Sequence, residues 1–328
     1  MDSPNAPLAT MITMPAALER TTVQNLLNSG VMDDLYWPAD RARKNAKNFL
    51  QRWWKAQSDI TWTLSTVTHI ELKEELKRGY INVQNAVKIG DLDAFMVIAS
   101  GEEHHAIVDE RGVILGYRYR IPEDLITTLT ESSLKLPPTG IDAGVRGQYP
   151  TRHYAVWREY ALEPFFSSEY QKDLPASAEW CKENAGLFKF LSNGLRMISP
   201  ETYARYGGAR RHLEEAGLEP LCGIWFGVAV NQGVTGNTRT HQDWGDHGYN
   251  CVVPWGEYQG GGLVLWQLKT VVELRPGDAF FFMGSLIAHN VQGVEGTRNS
   301  IDLFCHRTVL SWKDRYDKKR RGVKLELG

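Results

Sequence analysis

Six short apolar runs crowd into the last third of this chain, and they limit its architecture more than any other feature. From Leu221 onward, GIWFGVAV, NCVVPW, GGLVLWQL, TVVELR, AFFFMGSLI and RNSIDLFCH follow one another as β-type segments. Turn chemistry separates them. Gly260-Gly261-Gly262 and Arg275-Pro276-Gly277-Asp278 are the clearest cases, the second with Pro and Gly at its two central positions. Short strands at regular spacing fold as a sandwich, a barrel or a jelly roll.

Upstream the pattern is mixed. Residues 1–20 read as a disordered tail, and ADRARKNAKNFLQRWWKAQ follows as a basic helical stretch. FMVIAS and HAIVDERGVILGYRYR read as strands, the second a hairpin turned at Asp109–Gly112. Leu136-Pro137-Pro138-Thr139-Gly140 marks a boundary, so residues 21–136 form an α/β extension on a core spanning 137–312. Ser199-Pro200-Glu201 opens a helix that stops near Gly217. Residues 313–328 are a basic C-terminal tail. The expected class is α+β.

Charge and cysteine usage remove several classes. A formal net charge of −2 means that any nucleic-acid partner must meet a local basic surface. Cys181, Cys222, Cys251 and Cys305 form no C-x-x-C pair, which excludes a zinc knuckle and points to a reducing compartment. No run approaches the roughly 20 apolar residues of a membrane span, and the N-terminus lacks the pattern of a secretory signal. A soluble, intracellular protein is expected.

Within the β region stands Thr240-His241-Gln242-Asp243. Residues two apart on a strand share a face, so His241 and Asp243 can reach one ion. His289, after AFFFMGSLIA, supplies a third ligand from another segment. Two His and one carboxylate form a facial triad with open positions opposite for an oxidant and a co-substrate. An H-x-D pair alone also fits a surface His–Asp contact. Arg298 adds weight, because a guanidinium can take a carboxylate bidentately. On its strand, Arg298, Ser300, Asp302, Phe304 and His306 share one face, while Asn299, Ile301, Leu303 and Cys305 share the other. The polar face would line the interior and the apolar one would pack outward. An ion pair between Arg298 and Asp302 is the alternative role for that arginine.

These residues resemble a known group. HQDWGDHGYNCVVPWGEYQGGGLVLWQL, VVELRPGDAFFFMGSLIAHNV and EGTRNSIDLFCHRTV are similar to the TET/JBP branch of 2-oxoglutarate oxygenases, especially its fungal members, over about residues 221–312. VRGQYPTRHYAVWREY, with Arg152 and His153, matches more loosely. The resemblance implies a double-stranded β-helix (jelly-roll, cupin-like) core flanked by helices, with the dioxygenase domain at 137–312. It implies iron on His241, Asp243 and His289, and 2-oxoglutarate on Arg298 with Ser300 and Asn231 beside it. It implies Phe304 stacking on a flipped base, with His306 and Asp246 reading the base edge. Asp302 departs from relatives, which usually carry an apolar residue there.

The implied reaction consumes O2 and 2-oxoglutarate, with ascorbate as reductant, and oxidises methyl groups on DNA bases. On 5-methylcytosine the hydroxymethyl product is stable and can be oxidised further; on N6-methyladenine it collapses to formaldehyde and the bare amine. A base inside a duplex must be flipped to reach such a site. Asn237, Thr238 and Arg239 could touch the substrate strand, and the basic segments 41–55 and 313–324 could meet phosphate. A nuclear monomer acting on DNA, with no membrane role, is the expectation. Rival readings are an oxygenase of a protein side chain or small molecule, a binding module without turnover, and a zinc hydrolase, for which Arg298 has no use.

Overall fold

The computed structural model describes residues 95–101, 104–109, 114–142, 149–158 and 161–312, with Leu92 and the backbone of Thr10–Thr13 and Thr66–Ile70. The basic stretch from Arg41 to Lys55, the basic C-terminal run, most of the 1–20 tail and the hairpin tip after Asp109 lie outside the described residues.

The first half contributes β1 (Thr10–Thr13), β2 (Thr66–Ile70), β3 (Met96–Ile98), β4 (His105–Asp109), β5 (Ile114–Arg120) and α1 (Glu123–Ser133). Next come β6 (Ile141–Asp142), β7 (Tyr149–Trp157), β8 (Phe165–Phe166), and the helices α2 (Ser168–Lys172), α3 (Ala176–Glu183), α4 (Ala185–Ile198) and α5 (Pro200–Glu215). The last third holds β9 (Gly227–Gly236), β10 (Asn250–Gln259), β11 (Gly262–Leu265), β12 (Thr270–Val272), β13 (Asp278–Phe282), β14 (His289–Gln292) and β15 (Val294–Phe304). The large sheet runs β1-β2-β4-β5-β13-β10-β15-β9-β7-β6, with β8 on β7; the small one runs β14-β11-β12-β3.

From β9 onward the chain alternates between the two sheets. It leaves β9 in the large sheet, pairs with β14 through His241, and returns to the large sheet as β10. Strands β11 and β12 then lie in the small sheet, β13 in the large, β14 in the small and β15 in the large. This winding is a double-stranded β-helix, the jelly-roll core of an α+β fold. Six strands were expected in this region and seven are present. β14, HNVQ, is short and polar at three of its four positions, so hydrophobic runs do not reveal it.

Turns form where their residues demand. Gly277 has φ +83°, and Asp278 donates its N–H to the Arg275 carbonyl at 3.0 Å, closing the Arg-Pro-Gly-Asp turn. Asp278 also accepts from the Arg275 N–H at 2.7 Å and pairs with Arg120 at 2.8 Å. α5 begins with Pro200 at its first position and ends before Gly217, whose φ of +78° suits a residue without a side chain.

The helices cover one face of the large sheet. On α4, Leu187, Phe188, Leu191, Leu195 and Ile198 form a buried stripe, and each such side chain contributes about 1.5–3 kcal/mol when removed from water. Gly194 lets this helix approach closely, since a Cβ there would clash with Tyr119. Ile301 and Leu303 of β15, and Cys305 directly after it, join this core, whereas Phe304 packs separately with Ala155 and Ala229. The outward-apolar and inward-polar division of β15 is therefore as its alternation requires. Among the described residues, no helix is long and apolar enough to cross a membrane.

Candidate active site

The small sheet and the loop after β13 bring three ligand-type side chains together. His241 and His289 pair directly across two neighbouring segments: each backbone N–H donates to the other's carbonyl, at 3.0 and 2.9 Å. Directly opposed residues project to the same side, and their imidazole centroids lie 4.3 Å apart. Asp243, two residues beyond His241, returns to the same place. Its N–H donates to the Gly284 carbonyl at 2.9 Å, which fixes the segment against the loop after β13. The donor atoms of His241, Asp243 and His289 all lie within 4.8 Å of one another. Nε2 of His289 is 3.5 Å from Asp243 Oδ2, and Nε2 of His241 is 3.9 Å from Oδ1. Ligands bonded at about 2.1 Å to one ion stand roughly 3–4 Å apart, so the cluster has the right span.

Tautomer is set by the backbone. Nδ1 of His241 lies 2.9 Å from the Arg239 carbonyl, and Nδ1 of His289 lies 2.8 Å from the Ile287 carbonyl. A carbonyl only accepts, so each Nδ1 carries the proton and each Nε2 turns a lone pair toward Asp243. The Phe282 ring stands edge-on to His289 at 4.7 Å, giving the site an apolar wall. Two neutral imidazoles and one carboxylate fit a ferrous ion with a face left open.

A Cβ on Gly284 would lie 2.9 Å from Asp243 Oδ2 and 2.7 Å from Asn250 Oδ1. Gly284→Ala is therefore expected to push on the carboxylate and weaken metal affinity about tenfold. Metal titration by calorimetry checks this, with thermal unfolding as the control for the fold.

Arg298 is the second feature. It is only 1% exposed, and burial pulls its pKa below the ordinary value. Among the described residues no carboxylate faces it; Nε and Nη2 find no hydrogen-bond partner. Its neighbours are Tyr258, whose ring centre lies 5.8 Å from the guanidinium carbon, and Tyr149. Burial pushes the Tyr258 phenol up to about 12, and its hydroxyl donates to the Leu274 carbonyl at 2.7 Å, so it supplies no counter-charge. Arg298 and Asp302 form no ion pair. Gly261, at φ +70°, leaves room for the arginine stem, since a Cβ there would lie 3.1 Å from its Cδ. A buried guanidinium without an anion is costly. The distal carboxylate of 2-oxoglutarate fits this place, with Ser300 and Asn231 alongside: Asn231 donates to Ser300 at 3.4 Å and accepts from Thr151 at 2.9 Å.

Register places the remaining candidates. Across the large sheet Phe304 stands opposite Gly227, which in turn stands opposite Ala155. Trp157 stacks on Phe304 at 5.5 Å and 29° and meets the His306 ring edge-on at 5.6 Å. His306 pairs with Asp246 in an isolated bridge, and Asn250 donates to Asp246 Oδ2 at 2.8 Å. Arg152 and His153 part company on β7. Arg152 points toward the helices, bonding Pro137 and Asp173, while His153 joins the Phe304 side and pairs with Glu169 at 3.5 Å. Asn237 and Arg239 stay exposed on the segment leading into His241, and Asn237 accepts from the Gly293 N–H at 2.8 Å.

Three neighbours went unread in the sequence: Trp157, Tyr258 and Asn250. Tyr258 could have been found, since it lies two residues from Gly256, which pairs with Arg298, and so shares that face. Trp157 and Asn250 depend on strand register and carry no local signal.

No protein-family model matches the chain, and no curated protein matches it. Among solved structures, NgTET1 in complex with 5mC DNA is similar at 16% identity and a TM-score of 0.49, over 69% of this chain and 91% of that one. A 2OG-Fe(II) oxygenase family oxidoreductase from Burkholderia pseudomallei is similar at 15% identity and 0.34, over 57% and 82% of the two chains. A Pseudomonas putida prolyl-4-hydroxylase is similar at 15% and 0.36, over 58% and 92%.

Proposed function

We propose that this chain is an Fe(II)- and 2-oxoglutarate-dependent dioxygenase that oxidises methyl groups on DNA bases in the nucleus. The observation that carries the oxygenase reading is the buried Arg298, which faces no carboxylate in a barrel that also holds two His and one Asp at ligand spacing. A hydrolytic zinc site needs no such anion anchor.

His241, Asp243 and His289 would hold the metal from one side. Arg298 would take the far carboxylate of 2-oxoglutarate as a forked pair, with Ser300 and Asn231 keeping that end of the site polar. When bound, iron, 2-oxoglutarate and O2 supply the oxidising power that turns a methyl group into hydroxymethyl, releasing succinate and carbon dioxide. The protein supplies position and dryness.

Substrate class follows from the other wall, read with the sequence resemblance. Phe304, backed by Trp157, offers an aromatic face to a flipped base, worth about 1–3 kcal/mol. Asp246, oriented by Asn250, can accept from an exocyclic amine, as carboxylates do with cytosine N4. On His306, Nδ1 accepts from the Thr308 N–H at 3.3 Å and lies 2.7 Å from the Thr308 hydroxyl, while Nε2 sits on the Gly245 side of the ring, so its base-edge role rests on the sequence resemblance. An amine acceptor serves 5-methylcytosine and N6-methyladenine alike, and it disfavours thymine.

Incubation with Fe(II), 2-oxoglutarate and duplexes carrying either methylated base, followed by mass spectrometry of nucleosides, tests this. Oxidised base is expected with the intact protein and none with His241→Ala. Succinate release with peptides but never with DNA would replace DNA by a protein substrate. Asp246→Ala should lower base turnover about tenfold or more while iron affinity changes little. An equal fall in both would remove the base-reading role.

A further inference from the structure

Trp244 directly follows a metal ligand and stays 42% exposed. A lone exposed apolar side chain means little; the mounting of this one is informative. Asp246 donates its N–H to the Asp243 carbonyl at 2.8 Å, closing a tight turn with Trp244 and Gly245 at its tip. The His306 ring lies so close over Gly245 that a Cβ there would overlap it. The Gly245 carbonyl accepts from the Arg307 N–H at 2.8 Å. Trp244 therefore stands two residues before Asp246, and the exposed Arg307 directly follows its bridge partner His306, both held by hydrogen bonds at one junction.

Two guanidinium groups stand at this junction, together with the Asp243 and Asp246 carboxylates that bound the turn. Burial, with Arg205 and Arg307 both near enough to act on it, pushes the His247 imidazole down to about 4. That histidine is neutral at physiological pH, so the guanidinium groups carry the positive charge available to a phosphate. An exposed aromatic beside arginines matches the chemistry of a nucleic-acid strand, in which bases offer π-faces between anionic phosphates.

We propose that Trp244 is the wedge that enters the duplex stack when the methylated base is extruded, with Arg307 and Arg205 taking the flanking phosphates. The inference rests on the DNA-base reading above and goes beyond it, because it assigns the step before oxidation. Extrusion breaks stacking on both sides of the target, and an inserted aromatic ring restores part of it. A single strand has no such gap to fill, so the wedge matters for duplex substrates above all.

The test compares one methylated oligonucleotide as duplex and as single strand, with the full-length protein and W244A. The loss in kcat/KM on the duplex should exceed that on the single strand by about tenfold, and W244F should recover most of it. A 2-aminopurine placed beside the target should brighten on duplex binding to the parent protein and much less with W244A. R307A should lower the slope of log K against log salt by about one. Equal losses on both substrates, unchanged 2-aminopurine fluorescence between parent and variant, or an unaltered salt slope would overturn the wedge. If the parent oxidises no base in either form, the DNA reading itself fails and takes the wedge with it. A parent active on duplex whose W244A variant matches it sinks the wedge alone.

Discussion

Asp243→Ala is expected to bind ferrous ion more than about a hundredfold more weakly than the parent protein and to release no succinate from 2-oxoglutarate. Loss of a supporting partner alone costs 10- to 100-fold in affinity, and loss of a direct ligand should exceed that. Asp243 is the only acidic member of the cluster, so its removal also deletes the negative charge that offsets the cation. The fold should survive. Its backbone N–H still bonds Gly284, and the carboxylate stands 3.5 Å from His289, which holds its place through Ile287. Calorimetric titration with Fe(II) under anaerobic conditions, paired with thermal unfolding of the metal-free protein, reads both quantities. A large drop in unfolding temperature with metal affinity intact would mean that the trio is a structural network.

Arg298→Met should separate stability from co-substrate affinity, moving them in opposite directions. Truncating one partner of a buried charge pair costs about 2–5 kcal/mol, so the KM for 2-oxoglutarate should rise by roughly 30-fold to several thousandfold. Without 2-oxoglutarate, however, the wild-type guanidinium is buried without a counterion and destabilises the fold. Methionine fills similar volume with no charge, so the variant should unfold at an equal or higher temperature than the parent in the absence of ligand. Saturating 2-oxoglutarate should raise the parent's unfolding temperature and leave the variant's unchanged. Arg298→Lys keeps charge but loses the fork, and should recover only part of the affinity. An unchanged KM in both variants would remove the anchor role.

The parts of this site that lie along one segment were legible in the sequence. His241 and Asp243 stand two apart and reach one place, although the segment forms no strand and makes only an isolated bridge at His241. The alternation of Arg298, Ser300 and Phe304 with Ile301, Leu303 and Cys305 likewise announced an interior and an exterior face. What was hidden came from pairing between distant segments. Trp157 meets Phe304 only because β7 lies beside β9, and β9 beside β15. β7 itself mixes polar and apolar residues on both faces, Thr151, His153 and Trp157 on one and Arg152, Tyr154 and Val156 on the other, so no period-2 signal marks it. β14 was missed for a similar reason: its four residues hold just one aliphatic side chain.

The mutual backbone bonds between His241 and His289 also bear on how the cation is acquired. Because these two residues are locked to each other by the main chain, their rings are already aimed before any ion arrives. Filling such a seat orders little additional chain. Chelation and reloading should then be reversible without refolding, unlike in zinc fingers, where removing the metal dissolves the domain.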